Sequence, residues 1–221
     1  DGIALIGLDH SDDTYQLLIS RDVPVVAAWS FSETSRISCI GSDNREAGRQ
    51  AAKHLLSFGH RRVGLVFPPT QENDRARDRL EAVELELRDA GIEIPDRWRV
   101  RSPYSVAHAK SVCRELLSEH KDITGLICGN DIIAQGAVSS AMQLGLRIPE
   151  DLSIVGIGDF AGSADMFPAL STVQIPAQQI GIQAGKYLVQ SIANSDVSEI
   201  VRRKMDVALK PRATTGRAVR G

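Results

Sequence analysis

Aromatic residues make up only 5% of the 221 positions. A core with so few rings has to be filled by Val, Ile and Leu, the composition of parallel strands covered on both faces. Cysteine is also scarce: Cys39, Cys113 and Cys128 are odd in number and far apart, with no C-x-x-C or Cys/His spacing that would hold a metal. They read as buried free thiols of a reducing compartment, and no metal is expected. Neither charge sign dominates, since 26 Lys and Arg face 28 Asp and Glu for a net charge of −2. This stretch therefore carries no basic field to draw it onto nucleic acid or an anionic membrane. No apolar run approaches the ~20 residues that span a bilayer, and no secretory leader is visible. The expectation is a cytoplasmic protein without a membrane partner. The chain opens at Asp1, without Met and on the doorstep of a strand, which reads as a fragment.

Catalytic signatures are missing as well. There is no G-x-S-x-G elbow, Walker loop or H-E-x-x-H. Gly156 to Ala161 fits the loose G-x-G-x-x-A form of the dinucleotide fingerprint, but Gly162, Ser163 and Pro168 argue for a loop where a helix would have to open. The histidines, His10, His54, His60, His108 and His120, are scattered and read as surface or packing residues. No enzyme activity and no cofactor are expected.

What is present is ordinary in amount and regular in order. Apolar content is 43% and charged content 24%, and the length suits one large α/β domain or two lobes of about 100 residues each. Strand-like apolar runs at 3–8, 23–28, 37–40, 63–67, 98–101, 125–128, 152–157 and 201–209 alternate with helical periodicity at 11–21, 43–59, 75–90, 105–119, 131–144 and 176–192. Strand then helix, repeated, predicts parallel sheets flanked by helices on both faces. Ligands on such sheets sit at the carboxyl ends of the strands, so polar residues that directly follow strands become candidates. Asp43, Asn130-Asp131 and Gly158-Asp159 are so placed. Gly59-His60-Arg61-Arg62 reads as a solvated turn, and 211–221 as a loose tail.

The densest charge lies in Asn73-Asp74-Arg75-Ala76-Arg77-Asp78-Arg79. Helical spacing puts Arg75 and Arg79 on one face and Arg77 on another. An exposed face with Arg/Asp pairs is one reading. The other is a guanidinium aimed into a cleft, where its planar fork holds hydroxyls or a carboxylate.

Several segments, taken in order, resemble the LacI/GalR family of transcription regulators. They are Ser42-Asp43-Asn44 with Gly48, the run from His54-Leu55 to Gly59-His60-Arg61-Arg62-Val63, Ala76 to Leu80, Asn130-Asp131 with Ala134 and Gly136-Ala137, Gly145 to Gly156, and Pro168 to Val173. The likeness spans about residues 1–216. It implies a periplasmic-binding-protein-like α/β fold of two lobes joined by three crossovers. The N-terminal lobe would hold 1–68 and 176–198, incomplete because the first βα units are absent. The C-terminal lobe would hold 69–175 and 199–221. It also implies a ligand-responsive repressor of carbohydrate metabolism that forms a homodimer and meets operator DNA through a helix-turn-helix head absent here. A small-molecule effector, a sugar or sugar acid, would sit between the lobes. A periplasmic sugar-binding protein of a transporter shares this fold and is the alternative.

The resemblance carries particular residues to the effector. Asp43 matches an acid of the first lobe, and Arg79 matches the arginine that grips hydroxyls or carboxylates. Asn73 and Arg75 match positions that vary with the ligand. Tyr104 falls where an aromatic packs on the sugar or base ring. Asn130 matches an amide that binds ligand oxygens, with Asp131 expected to cap the helix that follows. The chain departs from the family at G-F-D-[DN]: Gly158 fills the slot of the first acid, and Asp159 follows. Loss of that acid near Arg79 tilts the expected ligand toward a sugar acid, and the G-[FI]-G-D-[FL] form also resembles gluconate-type repressors of the family. With the first βα units missing, apolar surface should be exposed around residues 3–8.

Overall fold

The structure, a computed structural model, describes residues 1–21, 23–194 and 199–218. Along the chain run β1 (Ile3–Ile6), α1 (Asp12–Ser20), β2 (Val25–Ser30), β3 (Ser38–Ser42), α2 (Asn44–Ser57), β4 (Val63–Phe67) and α3 (Asp74–Asp89). A short 3-10 turn at Asp96–Trp98 leads into β5 (Arg99–Arg101), α4 (Val106–Glu119), β6 (Gly125–Cys128), α5 (Asp131–Gln143) and β7 (Ser153–Gly158). Then come β8 (Ser171–Gln174), α6 (Ala177–Asn194), β9 (Arg202–Met205) and β10 (Ala208–Lys210). This is an α/β fold of two mainly parallel sheets flanked by helices.

The chain divides into two compact units. The first comprises Asp1–Asn44, Thr70–Arg77 and Pro176–Val207. Its sheet has the order β1-β2-β3-β9, all parallel. Alternation along β2 sends Val25 and Ala27 to one face, where they pack with Tyr15 and Leu18 of α1, and Val26 to the other, against Ala184 of α6. β1 lies at one edge, with Ile3 36% and Ile6 56% exposed, so the apolar surface expected around residues 3–8 is there. β9 at the other edge reads Arg-Arg-Lys-Met and is exposed except for Met205.

The second unit comprises Arg45–Pro69, Asp78–Ile175 and Ala208–Gly221, with the sheet order β10-β8-β7-β6-β4-β5. Only β10, paired with β8, is antiparallel. β4, β6 and β7 are buried along their whole length, as continuous apolar runs covered on both faces must be. Leu55, Leu65, Leu126, Ile127, Ile154 and Ile157 are at most 1% exposed. Each such side chain contributes about 1.5–3 kcal/mol by leaving water.

Three sequence expectations need correction. The first concerns the units. The chain passes between the two sheets three times, after β3, after β8 and after β9, and the first and third passages differ from those expected. α2 and β4 belong with the second unit rather than the first, because β4 pairs with β6 and β5. Thr70–Arg77 and β9 belong with the first, because β9 pairs with β3. Second, the single strand expected over 201–209 is two strands in different sheets. Third, 211–218 is no loose tail. Thr214 Oγ1 donates to the Ile154 carbonyl at 2.7 Å, Thr215 Oγ1 lies 2.8 Å from His54 Nε2, and His60 Nε2 donates to the Gly216 carbonyl at 3.0 Å. His60 is 1% exposed, so its turn is buried at that residue and not solvated. Residues 195–198 and 219–221 lie outside the described residues.

Candidate functional site

The residues singled out from the sequence fall in both units, at or beyond the carboxyl ends of strands. In the second unit Arg79 sits in the second turn of α3 and is 5% exposed. Its Nη1 donates to the Gly129 carbonyl at 3.1 Å, just past the end of β6. α3 comes close enough because α2 carries Gly48, where a Cβ would stand 2.3 Å from the Arg79 carbonyl oxygen. The next residue after Gly129 is Asn130, so the structure brings Arg79 and Asn130 together.

Asn130 is extended (φ −157°, ψ 175°) and its Oδ1 accepts from the Ile133 N–H at 3.0 Å. It is therefore Asn130, not Asp131, that caps α5, and the cap uses only its carbonyl oxygen. Asp131 turns inward instead. It is fully buried and accepts from Thr172 Oγ1 (2.6 Å), Ser163 Oγ (2.7 Å) and the Phe160 N–H (2.9 Å). Burial pushes its pKa up, while these three hydrogen bonds pull it back and Asp159 adds to the rise. The effect is to pin the loop after β7, which is a loop as the sequence indicates, and not a phosphate-binding helix start.

Within that loop Gly158 has φ +143°, and a Cβ there would meet the Phe160 ring at 2.6 Å. The position where the resemblance implies an acid is thus closed to any side chain while the ring stays where it is. Asp159 follows with φ +55°, and its carboxylate accepts from Arg212 Nη2 at 2.7 Å and Gln174 Nε2 at 2.9 Å. Tyr104, beyond β5, is 49% exposed.

In the first unit the candidates are engaged with their own surroundings. Asn73 caps α3 by accepting from the Ala76 N–H at 3.3 Å. Arg75 Nη1 donates to Asp74 Oδ1 at 2.7 Å and to the Ile6 carbonyl at 3.1 Å. Asp43 lies 3.4 Å from Lys204. Sequence reasoning missed the partners that organise these ends. Asp74 accepts from Ser30 Oγ (2.6 Å) and the Leu8 N–H (2.8 Å), and Arg77 pairs with Asp9 at 2.6 Å. Arg212 and Gln174 were missed as well. The one available signal was the acid in the first turn of α3; which strand ends it would meet is a long-range matter.

The arrangement offers guanidinium, amide, carboxylate and ring groups at strand ends, the equipment for holding hydroxyls and carboxylates. Among the described residues no group of three or more His, Cys, Asp or Glu could hold a metal, and no helix is long and apolar enough to cross a membrane.

Comparison with known proteins gives a consistent answer. The periplasmic binding protein-like domain family matches residues 52–215. The HTH-type transcriptional repressor PurR of Klebsiella pneumoniae (strain 342) is 28% identical over 196 residues, covering 88% of this chain and 57% of that protein. The crystal structure of the transcription regulator GntR from Chromobacterium violaceum superposes with a TM-score of 0.88 at 29% identity, covering 97% of this chain and 78% of that one. The complex of the transcriptional regulator CelR with cellobiose gives 0.84 at 26% identity, covering 97% and 65%. The chain thus spans little more than half the length of the PurR repressor it matches. All three are named as regulators of transcription, none as an enzyme.

Proposed function

Because the chain belongs to the periplasmic binding protein-like domain family, in the form carried by LacI-family transcription regulators, we propose that it is the effector-sensing part of a cytoplasmic repressor of carbohydrate metabolism. The effector is a sugar or sugar acid. Arg79 and Asn130 are its principal contacts, with Tyr104 against its ring and Asp43, Asn73, Arg75 and Asp159 as further contacts. The full protein acts as a homodimer and meets operator DNA through a helix-turn-helix head. Effector binding changes DNA affinity only so far as the effector prefers one arrangement of the protein over another.

The observation that carries the sugar-acid reading is the closed slot at Gly158. The acid that would clamp neutral hydroxyls cannot stand there against the Phe160 ring, and the neighbouring Asp159 is already bound by Arg212 and Gln174. A ligand carboxylate then meets Arg79 without an acid in that slot to repel it.

A thermal-shift screen of the protein against neutral sugars and sugar acids, repeated with Arg79→Ala, tests this. A ligand at a hundredfold excess over its Kd stabilises by about 2.7 kcal/mol. The expected result is a shift with a sugar acid that Arg79→Ala abolishes. A shift with neutral sugars that is indifferent to Arg79→Ala would reject the site assignment.

A further inference from the structure

The second unit contains a cavity that none of the candidate effector residues lines. It lies at the amino-terminal end of its sheet, opposite the strand end that is followed by Asn130. Its volume is about 670 Å³, within the usual range for small-molecule sites. Leu117 at the end of α4, Ile123 before β6, and Leu144 and Leu146 after α5 supply the apolar wall. Arg62, His120 and Lys121 supply the basic side of the lining, and Asp122 and Asp151 the acidic side.

Those charges do not cancel. Asp151 is taken up by Arg147, which meets both its oxygens at 2.6 and 2.8 Å and lowers its pKa to about 2. Arg62 is oriented by its Nε, which donates to the Asp122 carbonyl at 2.7 Å. Lys121 has no hydrogen-bond or ion-pair partner among the described residues. Two cations therefore face one uncommitted carboxylate, Asp122. The ends of α4 and α5 would add partial negative charge. At α5 that charge is largely spent, since the Leu146 N–H returns to the Ala141 carbonyl at 3.0 Å and the Gly145 N–H to the Met142 carbonyl at 3.1 Å.

We propose that this cavity is a second small-molecule site, for a compact apolar body bearing a single negative charge. The body fills the space beside Leu117, Leu144 and Leu146, and the anionic group meets Lys121 and Arg62.

Three probes with one body and different charge test it: 1-naphthoate, 1-naphthalenemethanol and 1-naphthylmethylammonium, titrated into the protein by calorimetry. The expectation is saturable one-to-one binding with naphthoate tightest and the ammonium weakest. Lys121→Glu should weaken naphthoate by up to about fivefold and leave the alcohol nearly unchanged, an exposed ion pair being worth up to about 1 kcal/mol. Leu146→Ser, with its melting temperature checked, should weaken all three. Arg79→Ala, which disables the proposed effector contact, should alter none of them, so failure here and failure of the effector reading are distinguishable. Absence of saturable binding, tighter binding of the ammonium, or naphthoate affinity indifferent to both Lys121→Glu and Leu146→Ser would overturn the proposal.

Discussion

Each unit carries one buried aspartate as the first residue of a helix, and the two are built differently. Asp74 opens α3 in the first unit and Asp131 opens α5 in the second. Each accepts from one backbone N–H and at least one hydroxyl of a strand of its own sheet, so each ties a helix start to that sheet. Asp74 has a cation, Arg75, at 2.7 Å. Asp131 has three neutral donors and, among the described residues, no basic partner. The same device thus works once as a charged pair and once as a solvated-like carboxylate inside the protein. The difference teaches what each charge is for. At Asp74 the charge has a partner to lose, whereas at Asp131 the hydrogen bonds matter and the charge is a burden.

The sharpest way to break that contrast is substitution. Asp131→Ala strands three donors around a buried hole and should cost about 3–5 kcal/mol in urea unfolding. Asp131→Asn should cost only about 1 kcal/mol, because its oxygen can serve Phe160 and Ser163 while the Thr172 hydroxyl rotates to accept from its amide. Asp74→Asn should cost more than Asp131→Asn, since it leaves the Arg75 guanidinium, 18% exposed, without its counter-charge. If Asp131→Asn proves the costlier of the two amide variants, the contrast is wrong.

A pH titration separates the same unit's acid from its histidines. Burial raises the Asp131 pKa, so its contribution is complete below the ordinary carboxylate range and falls as pH rises through the folded value. Burial lowers the pKa of His54 and His60, with the charge of His60 a second cause at His54. Their contribution is present above the ordinary histidine value near 6.5 and is lost as pH falls through the folded values. Stability should therefore drop on acidification below about pH 6.5, and His54→Gln with His60→Gln should flatten that drop. A drop of full size in the double variant would assign it elsewhere.

The smallest effect concerns the edges of the first unit's sheet. β9 carries Arg202, Arg203 and Lys204, the charged guard that discourages strand addition, while β1 offers Ile-Ala-Leu-Ile with no guard. Ile6→Lys should change stability by no more than about 0.5 kcal/mol and yet lower self-association, read by light scattering at rising concentration.

Much of the fold was legible because it is written locally. Apolar runs of four to six residues between helical repeats located β4, β6 and β7, and the helices came within a residue or two. β8 was not seen: Ser171-Thr172-Val173-Gln174 is short, half polar, and a strand only because β7 and β10 lie on either side. The unit boundaries failed for the same reason, since nothing near β4 tells which sheet will accept it. At the site, residue types were readable and partners were not. Asn130 and Asp131 are equally good caps by composition, and only the hydroxyls of Ser163 and Thr172, tens of residues later, decide which one turns inward.

The anchoring of residues 208–218 has a consequence for synthesis. β10 completes the edge of the second unit's sheet, and Thr214, Thr215 and Gly216 satisfy Ile154, His54 and His60 far upstream. On the ribosome, helices α4 and α5 and strands β4 to β8 emerge while those groups still lack their partners. Their closure waits for residue 218 to clear the exit tunnel, a delay of seconds at ordinary translation rates. During that interval the unfinished edge of β8 is open, and a pause in translation just before β10 would hold the nascent protein at its most aggregation-prone stage.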